Sequence, residues 1–119
     1  MTKKKVLIVD DDEDVRDFLE MEITDQGFDV KAASDGKQAL SVFSEFHPNL
    51  IVCDYVMPGM GGVEVLSKLR EFSTVPVIIL SGHIKPEIAS HLRKIGAQDV
   101  LEKPVDLTLL RMRVKSLAI

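Results

Sequence analysis

Asp10 and Asp11 follow the apolar run Val6-Leu7-Ile8-Val9, Asp54 closes the run Leu50-Ile51-Val52-Cys53, Ser81 follows Val75 to Leu80, and Lys103 follows Asp99 to Glu102. Three carboxylates, a hydroxyl and an ammonium thus each stand at the end of a short apolar stretch. Such stretches, bounded by turn residues, read as strands covered on both faces. In open parallel α/β sheets, ligands bind at the carboxyl ends of the strands. If these ends share one rim, the acids repel one another, and the cluster either raises a pKa or takes up a cation. An all-oxygen donor set with room for water suits Mg2+ better than zinc, which favours nitrogen and sulfur. A cation that bridges phosphate oxygens, a lysine acting as a point charge and a hydroxyl donor are equipment for phosphoryl transfer. A carboxylate can itself be the nucleophile and form an aspartyl phosphate. Helix capping accounts for acids such as Asp12 and Asp14. It does not account for Ser81 and Lys103 also falling at strand ends.

The elements that must position these groups alternate along the chain. Lys5 to Val9 is a first strand, and Val15, Phe18, Leu19 and Ile23 recur after it at helical spacing. Asp29 to Ala33 is a second strand; Asp35-Gly36 turns the chain into a helix whose apolar face is Ala39, Leu40, Phe43 and Phe46, stopped by His47-Pro48. The third strand ends at Asp54, in a loop holding Gly59, Gly61 and Gly62 that is permissive in backbone conformation and expected to be mobile. Val63, Leu66 and Leu69 form the next helical stripe. Val75 to Leu80 is a fourth strand; Ile84, Ile88, Leu92 and Ile95 form a helix closed by Gly96; Asp99 to Glu102 is a fifth strand; and Leu107, Leu110, Val114 and Leu117 give a last helix. Five strands alternating with five helices imply an α/β, doubly wound parallel sheet. Strand order is not readable from the pattern, but the common order 2-1-3-4-5 would bring Asp10, Asp11 and Asp54 together.

With 119 residues, 45% of them hydrophobic and 29% charged, the chain reads as one soluble domain spanning 1–119. The net charge of −4 and the dispersed basic residues argue against direct nucleic-acid binding. The exceptions, Lys3 to Lys5 and the set Arg111, Arg113 and Lys115, read as a solvated terminus and the last turns of a helix, where cations offset the dipole. The run after the lysines is too short for a signal peptide and nothing spans a membrane, so a cytoplasmic protein is expected. Cys53 reads as a buried core thiol. His47, His83 and His91 have no ligand-like spacing and read as surface or loop residues.

The four motifs Leu7-Ile8-Val9-Asp10-Asp11, Asp54 with Met57-Pro58-Gly59, Ser81-Gly82 and Lys103-Pro104 occur in this order at strand ends. Together they are specific, and across essentially its full length the chain resembles a response regulator receiver domain of two-component signalling, similar to the single-domain chemotaxis regulators. The resemblance implies a flavodoxin-like five-stranded sheet of order 2-1-3-4-5 flanked by five helices. It implies Asp54 as phosphoacceptor and Mg2+ as cofactor, held by Asp11 directly, by Asp10 partly through water, by Asp54 and by the backbone carbonyl of Val56. Ser81 then corresponds to the switch hydroxyl, Lys103 to the ammonium that pairs with the phosphoryl group, and Lys103-Pro104 to a cis bond; Gly82 leaves room for the phosphoryl group and a water. The implied partners are a sensor histidine kinase or a histidine phosphotransfer protein, and a downstream protein or output domain. Such a domain is a phosphoacceptor that assists its own phosphoryl transfer and dephosphorylation rather than an enzyme acting on others. Kinases of the family dock near the first helix, so the surface from Asp14 to Phe18 is a partner face, although the side chains of Val15 and Phe18 read as core.

Two departures bear on output. Val100 stands where the family usually has an aromatic switch residue, and Val105 where Phe is common after the Lys-Pro pair; Gly61 replaces a usual acid or amide. Three other readings remain. A haloacid-dehalogenase-type phosphohydrolase would use Asp10 and Asp12 as an Asp-x-Asp pair, though Asp14 sits where that motif prefers Thr or Val and a late acidic motif is missing. A flavodoxin-like cofactor binder would find the acidic first loop repelling its phosphate. A receiver serving only as a docking platform is the third, kept open by Val100.

Overall fold

The computed structural model describes residues 3–119. The chain alternates as β1 (Lys5–Val9), α1 (Glu13–Asp25), β2 (Asp29–Ala33), α2 (Gly36–Phe46), β3 (Leu50–Asp54), α3 (Gly62–Arg70), β4 (Val77–Ser81), α4 (Pro86–Lys94), β5 (Asp99–Glu102) and α5 (Leu107–Leu117). All strand pairs are parallel and the sheet order is β2-β1-β3-β4-β5. The expected fold class and strand order are therefore those observed.

Successive strand residues point to opposite faces, which divides the core into two layers. Leu7, Val9, Ile51, Cys53, Val77 and Ile79 face α2, α3 and α4. Val6, Ile8, Leu50, Val52, Ile78 and Leu80 face α1 and α5, where Leu19, Ile23, Leu110 and Val114 cover them. Every residue of β3 and β4 is buried, as continuous apolar runs require. Cys53 is wholly buried, and burial pushes its thiol well above the ordinary range, ahead of the charges of Asp54 and Asp10. It is a packing residue, not a reactive one.

Register is what aligns the strand ends. Val9 lies opposite Cys53, so Asp10 falls level with Asp54; Asp54 lies opposite Leu80, and Ser81 opposite Glu102, so Ser81 and Lys103 follow at the same rim. A further bond, Lys103 N–H to the Ser81 carbonyl at 2.7 Å, ties the ends of β4 and β5 together.

Ile95, grouped with α4 by periodicity, lies just past it as the C-cap, and two further boundaries differ from the sequence reading because of proline. β4 begins at Val77 rather than Val75, since Pro76 has no N–H for the ladder and the Val75 N–H is turned to the Ser73 hydroxyl at 3.0 Å. Ile84 lies outside α4, which starts at Pro86, where a fixed φ and a missing donor suit the first helical position. The basic residues of α5 also do more than offset a dipole. Arg111 pairs with Glu22 at 3.3 Å and Asp25 at 3.7 Å across to α1, and Arg113 donates to Asp99 at 2.7 Å.

At the opposite end of the sheet, Arg70 closes α3 by donating to the carbonyls of Gly96 at 2.8 Å and Ser73 at 3.2 Å and to Gln98 Oε1 at 3.1 Å. Gln98 Oε1 in turn accepts from the Val77 N–H that opens β4. Arg70→Ala removes the donor from three acceptors, two of them in partly buried hydrogen bonds, and is expected to lower stability by about 2 kcal/mol. A urea titration that finds no shift of the midpoint would contradict this role.

Candidate functional site

Asp54 is the last residue of β3, and only 8% of it is exposed; Asp10, just past β1, is buried at 1%, whereas Asp11 beside it is open to water. One carboxylate oxygen from each of the three lies within 4.8 Å of the others. Lys103 reaches into this cluster from the end of β5, with Nζ 3.1 Å from Asp10 Oδ2 and 3.2 Å from Asp54 Oδ1. Four of the five residues expected to share a rim are therefore brought together, across 93 positions of sequence between Asp10 and Lys103.

Asp10 is held on several sides. Its Oδ1 accepts from the Asp12 N–H at 3.0 Å, and its backbone carbonyl accepts from Arg16 Nη1 at 2.9 Å. Arg16 was not singled out in the sequence; its signal is that it is the one basic residue on an otherwise acidic α1. Asp12, by contrast, is the N-cap of α1, its side chain accepting from the N–H groups of Asp14 and Val15. An N-cap carboxylate is committed to the helix end, so the acid paired with Asp10 in the cluster is Asp11 and not Asp12. That removes the structural basis of the dehalogenase-type reading.

The electrostatics follow from this crowding. Burial, and next the charge of Asp10, push the Asp54 carboxyl above its ordinary range; Lys103 acts in the other direction without cancelling them. Burial alone would lower the Lys103 ammonium, but the hydrogen bonds and charges of Asp10 and Asp54 outweigh it and hold the group above its usual value. A carboxyl whose folded pKa lies above its unfolded value, about 3.9 for Asp, binds its proton more tightly in the native state. Stability is then lost as pH rises above that unfolded value. Asp54→Asn is accordingly expected to be more stable than the parent at neutral pH without divalent cations, by about 1 kcal/mol. The difference should close below pH ~3.9; a destabilised variant at neutral pH would show that Asp54 is a net contributor to the fold.

Ser81 closes β4 and is buried, its hydroxyl donating to the His83 carbonyl at 3.4 Å, at the long limit of a hydrogen bond. A Cβ added at Gly82 would meet nothing within 4 Å, so the space beside Ser81 is open. Val56 lies in the loop after Asp54 with its side chain exposed. The Lys103-Pro104 bond is cis.

The glycines of the β3–α3 loop have a different reason from the permissiveness read in the sequence. The Gly62 N–H donates to the Tyr55 carbonyl at 2.9 Å, and a Cβ on Gly62 would sit 2.6 Å from the Asp54 carbonyl oxygen. Close approach to the strand that carries Asp54 is what demands glycine there. Only Gly59, with φ +75°, needs the left-handed conformation. Phe18 corrects another expectation: it is 48% exposed rather than core, and with Val15, Pro104 and Val105 it lines an apolar groove of about 720 Å³ that reaches Lys103. The α1 face turned to the sheet is already filled by Leu19 and Ile23, which leaves Phe18 on its shoulder. Val100 packs in the layer under α4, and Val105 in the layer under α1 and α5.

The model of the response regulator receiver domain matches residues 6–115. A probable transcriptional regulator, ycf27, of Porphyridium aerugineum is 37% identical over 98% of this chain and 48% of its own length. The chain thus spans about half the length of such curated relatives. Among solved structures, the Francisella response regulator 1452 receiver domain superposes with a TM-score of 0.92 at 35% identity, covering 97% of this chain and 96% of that one. Vibrio cholerae chemotaxis protein CheY4 superposes with a TM-score of 0.90 at 28% identity, covering 98% and 99%. By motif, by site geometry and by kinship over nearly its whole length, this chain belongs to the response regulator receiver domain family.

Proposed function

We propose that residues 1–119 act as one receiver domain in the cytoplasm that accepts a phosphoryl group on Asp54, with Mg2+, from the phosphohistidine of a sensor histidine kinase or histidine phosphotransfer protein. The modified domain then presents an altered surface to a downstream protein or output domain. The observation that carries this reading is the convergence of Asp10, Asp11 and Asp54 at one rim with Lys103 bridging two of them.

The donor set fits Mg2+: all oxygen, few carboxylates, and one of them open to water. Asp10, Asp11, Asp54 and the backbone carbonyl of Val56 are the groups that would hold it. When bound, Mg2+ supplies neutralisation of the charge on the phosphoryl oxygens. The protein's own groups do the rest. An Asp54 carboxylate oxygen bonds to phosphorus as the bond from phosphorus to the donor nitrogen breaks, and the electron pair stays on that nitrogen. Lys103, already 3.2 Å from Asp54 Oδ1, is at hand to offset the incoming charge. Ser81 has only a 3.4 Å bond to give up in order to donate to a phosphoryl oxygen, and the open space at Gly82 admits that group and a hydrolytic water.

Adding a group of up to about two negative charges shifts a pre-existing balance of conformations rather than building a new fold. The size of the shift is set by how much better Ser81 and Lys103 engage the phosphoryl group in the active arrangement. Lys103→Ala is therefore expected to bind Mg2+ still, and to show none of the parent's amide chemical-shift changes at Ser81 and Gly82 on phosphorylation. A full response in that variant contradicts the role given to Lys103.

The reading as a whole is tested by intact mass after incubation with phosphoramidate. One phosphoryl group gained with Mg2+ and none with a chelator is the expected outcome. No gain, in protein that binds Mg2+ and remains folded, would make a docking platform the better description.

A further inference from the structure

Arg16 stands among acids on α1. Glu13 lies three positions before it and Glu20 four after it, the spacing at which helix side chains meet, yet among the described residues Arg16 makes no ion pair. Half-buried, it turns instead to a neutral acceptor, the Asp10 carbonyl, at 2.9 Å.

That carbonyl lies just past the sheet. The ladder between β1 and β3 ends with Val9 opposite Cys53, and the Asp10 N–H donates to the Ala33 carbonyl of the edge strand at 3.1 Å. Beyond this point the chain turns through Asp11 and Asp12 into α1, and Arg16 holds both ends of the turn. Its backbone N–H donates to the Asp12 carbonyl at 2.9 Å, while its side chain holds the carbonyl of Asp10. The Asp10 carbonyl and the Asp11 N–H belong to one planar peptide. Fixing the first fixes the second, and with it the direction in which Asp11 leaves the backbone. Asp10 and Asp12 have restraints of their own, since Asp10 Oδ1 accepts from the Asp12 N–H and the Asp12 side chain caps α1. The exposed Asp11 carboxylate is held by no hydrogen bond or ion pair among the described residues. Of the acid cluster, it depends most on the peptide that Arg16 grips.

We infer that Arg16 is a positioning residue for the metal: it holds the peptide between Asp10 and Asp11 so that Asp11 meets the other two acids, and thereby sets how tightly Mg2+ is bound. This role presupposes the phosphoacceptor reading, in which the three acids hold Mg2+, and it has a definite sign. By charge alone, a guanidinium near a cation site weakens the binding of Mg2+, and its removal strengthens it. Positioning predicts the opposite.

The test is calorimetric titration of Mg2+ into the parent and into Arg16→Met, Arg16→Leu and Arg16→Lys, with circular dichroism to verify that each is folded. Methionine and leucine favour the helix as arginine does but bring neither donor nor charge. Each is expected to raise the Kd for Mg2+ about tenfold, the usual cost of removing an outer partner of a metal ligand. Arg16→Lys, which retains a charged donor, should recover most of that loss. With phosphoramidate, the Mg2+ concentration giving half the maximal rate should rise with the Kd, while the rate at saturating Mg2+ stays within about threefold of the parent. In metal-free Arg16→Met the Asp11 amide resonance should move, because its peptide has lost the bond to Arg16. An uncharged variant that folds and binds Mg2+ as tightly as the parent, or more tightly, overturns the role given to Arg16 and leaves the phosphoacceptor reading intact. So does an Asp11 amide that keeps its place in Arg16→Met. A parent that takes up no Mg2+ overturns the metal site as well.

Discussion

Asp54→Asn is expected to fold, to keep the sheet order and the Lys103 to Asp10 contact, and to gain no phosphoryl group under conditions in which the parent gains one. An amide has no ionised oxygen to attack phosphorus, and the rate should fall by roughly three orders of magnitude or more. The geometry makes the loss specific to this acid. Asp10 has one oxygen engaged by the Asp12 N–H and the other by Lys103 Nζ. Asp11 is exposed, and among the described residues none holds its carboxylate in a hydrogen bond or ion pair. Asp54 is buried, with the Lys103 ammonium 3.2 Å from its Oδ1. Intact-mass time courses of both proteins with phosphoramidate read the effect directly, and an undiminished gain in the variant would move the acceptor elsewhere. The same substitution separates stability from function, because the site concentrates like charge that the fold would be better without.

The second large effect is on stability. Gly62→Ala is expected to cost about 3 kcal/mol. The added methyl would lie 2.6 Å from the Asp54 carbonyl oxygen and 3.0 Å from Tyr55 Cα, both backbone atoms that cannot rotate away. Relief requires either α3 to slide off the sheet, opening the buried contacts of Val65, Leu66 and Leu69, or the end of β3 to shift, displacing Asp54 itself. Gly59→Ala makes a useful control: its Cβ would meet nothing within 4 Å, and only its φ of +75° resists substitution, at about 1 kcal/mol. A denaturation experiment in which the two variants lose equal stability would contradict the close-approach account.

Much of this was legible because parallel strands buried on both faces leave an unmistakable signature. The runs ending at Val9 and Asp54 have the boundaries observed, and once the strands are parallel and in register the groups that follow them must meet at one rim. The cis Lys103-Pro104 bond was implied by the family resemblance, and the cap role of Asp12 was readable from residue type and position. What escaped depended on geometry that no local pattern encodes. Helical periodicity grouped Phe18 with Val15, Leu19 and Ile23, but the stripe is wider than the sheet can cover, and Phe18 is left at its edge. Gly62 looked like freedom and is in fact crowding, which requires knowing what lies across the loop. Arg70, Arg111 and Arg113 find their acceptors through tertiary contacts, so their sequence neighbours were silent about them. The valines at 100 and 105 were visible as departures. Their packing in opposite layers of the core, one under α4 and one under α1 and α5, was not.

The central claim is that Asp54, not another acid of the cluster, receives the phosphoryl group. Borohydride reduces an aspartyl phosphate to homoserine, so the phosphorylated protein can be trapped, digested and mapped by peptide mass. The account predicts homoserine at position 54 alone, formed only when Mg2+ was present during phosphorylation. Homoserine at position 10 or 11 would contradict it, and at position 10 would return the hydrolase-type chemistry of the first acidic loop to the front.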